Sequence, residues 1–254
     1  MARLEGKVAI ITGASSGIGR AAALAFGAEG ARLVLNARGA PALEALAATL
    51  AAQGVAAEVV PGDVSEESVA DALVVQALET FGRLDVAFNN AGATGPVGPL
   101  VDMGTADWRR VIDINLTSAF LGARRQIPAM LASGGGALIF TSSFVGYASA
   151  FPGLGGYAAA KAGLVGLARV IAAEYGPQGI RANALLSGGA DTPLGRSVAP
   201  TAEAIQLVES LHALKCIAQP EEIAAAALFL ATSEASFVTG SAFFVDGGAS
   251  MTKV

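Results

Sequence analysis

The alternation of short apolar runs with longer helical stretches constrains this chain more than any other feature. Residues 8–12, 32–36, 58–60, 85–89, 137–141, 180–185 and 242–245 read as strands. Helical patterns separate them near 17–29, 41–53, 66–81, 105–131 and 156–175, with two more near 202–211 and 220–232. Strands written as unbroken apolar runs are buried on both faces, which a parallel sheet between two helical layers provides. Their connections must then be right-handed crossovers. No proline-rich linker or compositional break divides the 254 residues, a length that one α/β domain can reach. The expected fold is α/β: a single doubly wound domain over 1–254, with a mainly parallel seven-stranded sheet and helices on both faces. Ligands bind beyond the carboxyl ends of the strands in such sheets, so function is expected in the loops there.

Rare residues exclude several chemistries. Cys216 is the only cysteine and His212 the only histidine, so neither an internal disulfide nor a thiolate or two-histidine metal site is possible within the chain, and no metal is expected. With 21 acidic against 16 basic residues the net charge is -5, which offers no footprint for nucleic acid or an anionic membrane. Residues 126–160 carry no charge, which invites a membrane reading. Seven glycines, Pro128 and Pro152 interrupt the stretch, so no long helix runs through all of it. No targeting segment is expected at the N-terminus, and the single cysteine fits a reducing, cytoplasmic compartment.

After the first strand comes Thr12-Gly13-Ala14-Ser15-Ser16-Gly17-Ile18-Gly19, leading into a helix. Glycines let the backbone turn sharply and approach a pyrophosphate, and the helix start supplies unpaired N–H groups. This is a Rossmann-like βα turn, although its Gly-x3-Gly-x-Gly spacing is not the G-x-G-x-x-G fingerprint. The second strand ends Leu35-Asn36-Ala37-Arg38, without the carboxylate that would bond a ribose 2′-hydroxyl. Arg38 offers a guanidinium fork to a 2′-phosphate, so NADP(H) is favoured over NAD(H); a solvated arginine at a strand end is the plainer alternative.

Tyr157 and Lys161 lie four residues apart on one helical face. A nearby ammonium stabilises phenolate, so Lys161 is expected to lower the Tyr157 pKa and make proton transfer feasible near neutrality. Ser143 closes the fifth strand, where its hydroxyl would reach a substrate carbonyl, with Ser142 as the neighbouring alternative, and Asn115 lies in the preceding helix. Taken singly these residues have ordinary structural uses. Together, Thr12 to Gly19, Asn89-Asn90-Ala91-Gly92, Asn115, Ser143 and the Tyr157/Lys161 pair resemble the short-chain dehydrogenase/reductase superfamily. The ending, Thr239-Gly240 with Val245-Asp246-Gly247-Gly248, resembles its single-domain branch, and the chain as a whole is similar to β-ketoacyl-acyl-carrier-protein reductases.

The resemblance implies roles for particular positions. Tyr157 would be the general acid/base, Ser143 would polarise the carbonyl, Lys161 would hold the nicotinamide ribose, and Asn115 would support a water relaying protons to Lys161. Cofactor contacts would come from Gly13, Ser15, Ser16, Gly17, Ile18 and Gly19, and from Asn90, Ala91 and Gly92. Asp63 and Val64 would meet the adenine and Thr192 the nicotinamide amide. A homotetramer built through two long helices and the last strand is also implied. Ser187-Gly188-Gly189 departs from the usual Pro-Gly at the entry to the substrate loop.

The substrate wall is expected at Phe144, Val145, Phe151 and Leu154, with Leu194 in a loop or lid over about 188–215. This apolar lining suits a small carbonyl compound or secondary alcohol. The basic residues that would dock an acidic carrier are absent at Ala132-Ser133-Gly134 and at Gln178, which places a carrier-protein substrate second. A silent NADP-binding or sensing protein is the non-enzyme alternative. A hydrolase using His212 lacks a Gly-x-Ser-x-Gly elbow, and the histidine reads instead as a surface or lid residue.

Overall fold

Two hydrophobic layers form because successive residues of each strand point to opposite faces of the sheet. The computed structural model describes residues 2–251. Its strands are β1 (Val8–Thr12), β2 (Arg32–Ala37), β3 (Ala57–Pro61), β4 (Val86–Asn89), β5 (Gly136–Ser143), β6 (Ile180–Ser187) and β7 (Ala242–Val245). They form one sheet in the order β3-β2-β1-β4-β5-β6-β7, and every pairing is parallel. In β1, Val8 and Ile10 join one buried cluster while Ala9 and Ile11 join the other. Both faces are therefore covered, as the uninterrupted apolar runs require.

The helices are α1 (Gly17–Ala28), α2 (Ala40–Ala51), α3 (Glu67–Phe81), α4 (Thr105–Ile112), α5 (Ser118–Ala132), α6 (Gly155–Tyr175), α7 (Pro193–Val198), α8 (Ala202–Leu211) and α9 (Pro220–Ala231). Alanines on α1 and α9, among them Ala21, Ala22, Ala224 and Ala227, join the cluster with Phe26 and Phe88, and their small side chains let these two helices pack together. Leu73, Met130, Leu164 and Ile171 carry α3, α5 and α6 onto the opposite face. α6 is long and apolar enough by composition to cross a bilayer, yet its inner stripe packs on β5 and β6.

Four elements differ from expectation. The predicted helix over 105–131 is divided by a π turn, Asp113–Thr117, between α4 and α5. β5 and β6 each run two residues further, pairing Ser143 with Ser187, because the ladder continues after the apolar run has ended. The short α7 has too few residues for a periodic pattern. It starts instead from Pro193 at its first position and Thr192 Oγ1, which accepts from the Gly195 N–H at 3.0 Å.

At the base of the sheet Asp85 is buried and accepts from Lys7 Nζ (2.9 Å), the Val8 N–H (3.0 Å) and Arg83 Nε (2.7 Å). Burial pushes its carboxyl up, but these donors outweigh it and hold the pKa below the ordinary value.

Candidate active site

The strand order reverses between β1 and β4, so the loops leaving them part and open a crevice. Thr12 Oγ1 accepts from the N–H groups of Asn90 (2.9 Å) and Ala91 (3.0 Å), and Asn90 Nδ2 donates to the Thr12 carbonyl at 3.1 Å. Thr141 Oγ1 donates to Asn90 Oδ1 at 3.1 Å, so one asparagine links the ends of three neighbouring strands. Gly13 turns the chain here with φ +67°, and a Cβ on it would lie 3.0 Å from Ala91 Cα. Ser16 starts α1 from an extended conformation and makes no side-chain capping bond. The first-turn N–H groups are thereby left for an anionic ligand.

A cleft of about 490 Å³ extends from this turn in both directions. Gly13, Ser15, Ser16, Gly17, Ile18, Asn90, Ala91 and Gly92 line its middle. Arg38, Asp63 and Val64 lie on the wall toward β2 and β3. Gly19 does not line the cleft; it is buried beneath the Gly13 carbonyl, where a Cβ could not fit. Asn36, which the sequence reading passed over, donates through Nδ2 to the Val60 (2.9 Å) and Gly62 (3.2 Å) carbonyls, tying the exit of β2 to that of β3. The Ser65 hydroxyl, with help from Arg110 at 3.0 Å, holds the Asp63 carboxyl below its usual range despite partial burial. Arg38 is exposed and makes no ion pair among the described residues.

At the other end the structure brings Ser143, Tyr157 and Lys161 together, one from the end of β5 and two from the first turns of α6. Lys161 is buried; its Nζ donates to the Thr141 carbonyl at 2.6 Å and lies 5.6 Å from the centre of the Tyr157 ring. Burial pushes the Lys161 pKa down to about 8. The expected lowering of Tyr157 is corrected by the geometry. Burial raises its pKa above the ordinary phenol value, the Ser143 hydroxyl draws it partly back, and the ammonium of Lys161 is spent on Thr141.

The two serines separate cleanly. Ser143 lines the cleft and accepts from the Val145 N–H at 3.1 Å, while Ser142 is fully buried and donates to the Lys161 carbonyl at 2.7 Å. Asn115 lies in the π turn behind the cleft. Its Nδ2 donates to the carbonyls of Ala93 (2.7 Å) and Val111 (2.8 Å), and its Oδ1 accepts from the Ala93 N–H at 3.2 Å. Its side chain is thus used up on backbone, and Gly92 lets it approach: a Cβ there would lie 2.8 Å from Asn115 Oδ1 and 3.1 Å from Lys161 Nζ.

Beyond Ser143 the cleft is walled by Phe144, Val145, Phe151, Leu154 and Leu194. Phe144 and Phe151 meet edge to face at 5.6 Å. Ile205, Val208 and Ile217 also line the cleft, residues not singled out from sequence, although the i, i+3 spacing of the first two was the available signal. Thr192 lies beside Gly17, and Arg196 is paired with Asp191 at 2.7 Å. His212 contradicts the surface reading. It is buried, and both ring nitrogens are hydrogen-bonded to backbone.

Residues 13–250 match a family model described as enoyl-(acyl carrier protein) reductase. The cyclohexanol dehydrogenase of Acinetobacter sp. (strain SE19) is 40% identical over 245 residues, covering 96% of this chain and 95% of that protein. The chain belongs to the short-chain dehydrogenase/reductase superfamily. It is accordingly an oxidoreductase of a superfamily that works with nicotinamide dinucleotides. A 3beta-hydroxysteroid dehydrogenase of Eggerthella lenta, another member, is 40% identical over 247 residues, 96% of this chain and 94% of that one. The crystal structure of levodione reductase superposes with a TM-score of 0.94 at 36% identity, covering 99% of this chain and 100% of its own. The superfamily match therefore takes in the Gly13 turn, the Ser143/Tyr157/Lys161 group and residues 188–215 together.

Proposed function

We propose that this chain interconverts an uncharged alicyclic ketone and its secondary alcohol with NADP(H). The observation that carries the reading is the gathering of Ser143, Tyr157 and Lys161 at the closed end of a cleft whose middle is a glycine-cradled helix start. A nicotinamide dinucleotide fits this chain's residues: the Gly13 turn admits a pyrophosphate, Arg38 suits a 2′-phosphate, and Lys161 and Thr192 stand at the nicotinamide end. When bound, the dinucleotide supplies or accepts the hydride.

The chain's own residues handle the proton. Ser143 hydrogen-bonds the substrate oxygen and polarises it, and Tyr157 gives that oxygen its proton during reduction or takes it during oxidation. The raised phenol pKa keeps Tyr157 protonated in the ligand-free protein, the form a proton donor needs. Lys161, 5.6 Å from the centre of the Tyr157 ring, would hold a ribose hydroxyl of the dinucleotide and place its ammonium near the phenol. Asn115 acts through Ala93, fixing the strand exit that faces Lys161.

Two lines support the alicyclic substrate. The wall is apolar, and its arginine, Arg196, is neutralised by Asp191. The similar proteins are named for cyclohexanol, a 3β-hydroxysteroid and a cyclohexadiene diol, which are ring alcohols. NADP(H) is favoured by Ala37-Arg38, and a homotetramer by the exposed apolar side chains of Phe120, Val170 and Phe244 on α5, α6 and β7. The test is a panel of cyclohexanols and cyclohexanones with each cofactor, followed by nicotinamide absorbance. Turnover of acyclic substrates alone would reject the alicyclic assignment.

A further inference from the structure

His212 is the chain's one histidine, and no part of the proton-transfer group touches it. It follows α8 at the far side of the lid and is 1% exposed. The N–H of Gly189 donates to its Nε2 at 3.0 Å, so Nε2 carries no proton, and Nδ1 donates to the Val208 carbonyl at 2.8 Å. The ring is therefore neutral, with its proton on Nδ1. It also fills the space beside the strand exit: a Cβ on Gly188 would lie 2.8 Å from Nε2, and one on Gly189 would lie 3.1 Å from Cε1. The centre of the Phe144 ring lies 6.2 Å from that of His212, the two rings tilted to each other.

Gly188 and Gly189 lead directly from β6 to Ala190, Asp191 and Thr192, all lining the cleft. Two consecutive glycines have little conformational preference of their own, so the path of this segment is set by its partners. The partners are few. Gly188 N–H donates to the Val245 carbonyl, Gly189 N–H to His212, and the Ala218 N–H returns to the Gly189 carbonyl at 2.9 Å. Of these only His212 is a side chain.

We propose that His212 is a positioning residue for the nicotinamide end of the cleft, holding through Nε2 the two-glycine exit of β6 and thereby the placement of Thr192. It joins lid helix α8 to the cofactor wall, adding a side-chain hydrogen bond to the backbone bonds that Val245 and Ala218 make with this segment. The assignment rests on the dinucleotide reading above. It requires the neutral Nδ1–H tautomer, and it distinguishes the two halves of the cofactor, because among the described residues no hydrogen bond or ion pair joins Arg38 or Asp63 to this segment.

The tag-free protein contains one imidazole, so ¹⁵N NMR reads its tautomer without assignment; the Nδ1–H form at neutral pH is expected, and the Nε2–H form would overturn the proposal. Binding then separates positioning from general loss of structure. His212→Phe keeps the ring but loses the acceptor and should weaken NADPH roughly tenfold while leaving 2′,5′-ADP, the adenosine half, unchanged. His212→Gln, whose amide oxygen can take the place of Nε2, should restore most of that loss. Equal weakening of both probes, no weakening, or a Gln variant as poor as the Phe variant would each overturn it. Failure of the wild-type protein to bind either probe would overturn the dinucleotide reading, and this assignment with it.

Discussion

Lys161 lies on the same face of α6 as Tyr157, yet its ammonium bonds the Thr141 carbonyl (2.6 Å) and stays 5.6 Å from the centre of the phenol ring. Both groups are consequently tuned by burial more than by each other: the phenol up, the ammonium down to about 8. In the ligand-free protein this leaves a protonated phenol beside a buried lysine whose pKa is about 8.

The buried lysine has a pH signature. Its folded-state pKa of about 8 lies below the unfolded value of about 10.4, so the folded state releases this proton first as pH rises. The unfolded chain binds more protons between those values, and stability from this group therefore rises across that window. The difference in melting temperature between the ligand-free wild type and Lys161→Met should shift in favour of the wild type from pH 8 to pH 10. A difference independent of pH would contradict the account.

Ser142 and Ser143 should behave differently under the same change. Ser143→Ala removes the hydroxyl that faces the cleft and the acceptor of the Val145 N–H, so it should lower kcat by roughly 10²-fold and cost about 1 kcal/mol of stability. Ser142→Ala removes a bond to the Lys161 carbonyl and should cost about 1 kcal/mol of stability while retaining most turnover. Steady-state kinetics and thermal melts on the pair decide it, and the reverse pattern would exchange their roles.

Arg38→Ala should weaken NADPH by roughly tenfold or more and NADH little, because only the former carries a 2′-phosphate. Fluorescence titration with both cofactors reads the difference. Equal losses would remove the phosphate contact and with it the NADP preference.

Asp85 gives the acid side of the stability profile. Its folded pKa is depressed, so its contribution is present above the unfolded value near 4 and is lost as pH falls through the folded one. Asp85→Asn should cost about 1–3 kcal/mol at pH 7 by denaturant unfolding, and the gap to wild type should narrow toward pH 3. A constant gap would place the role of Asp85 outside its charge.

The sheet could be read from sequence because each strand is an uninterrupted apolar run, such as Val8-Ala-Ile-Ile, bounded by a turn. The residues of the cleft could be read because Gly13 and Asn90 follow a strand, Ser143 ends one and Tyr157 lies in the first turn of a helix, all at the same end of that sheet. What escaped depends on contacts between distant segments. Whether Lys161 meets Tyr157 or Thr141 is decided by where β5 ends, and whether His212 is a surface or a buried group is decided by how α8 folds back on Gly188 and Gly189. The π turn escaped as well, because the sequence through Asn115 has the same periodicity as an ordinary helix.

The central claim is that Tyr157 transfers the proton at a dinucleotide site. The most direct test compares wild type and Tyr157→Phe for NADPH oxidation with cyclohexanone and for NADPH binding by fluorescence. The variant should bind NADPH within about threefold of wild type and lose at least ~10²-fold in kcat. Turnover by Tyr157→Phe at the wild-type rate would contradict the claim.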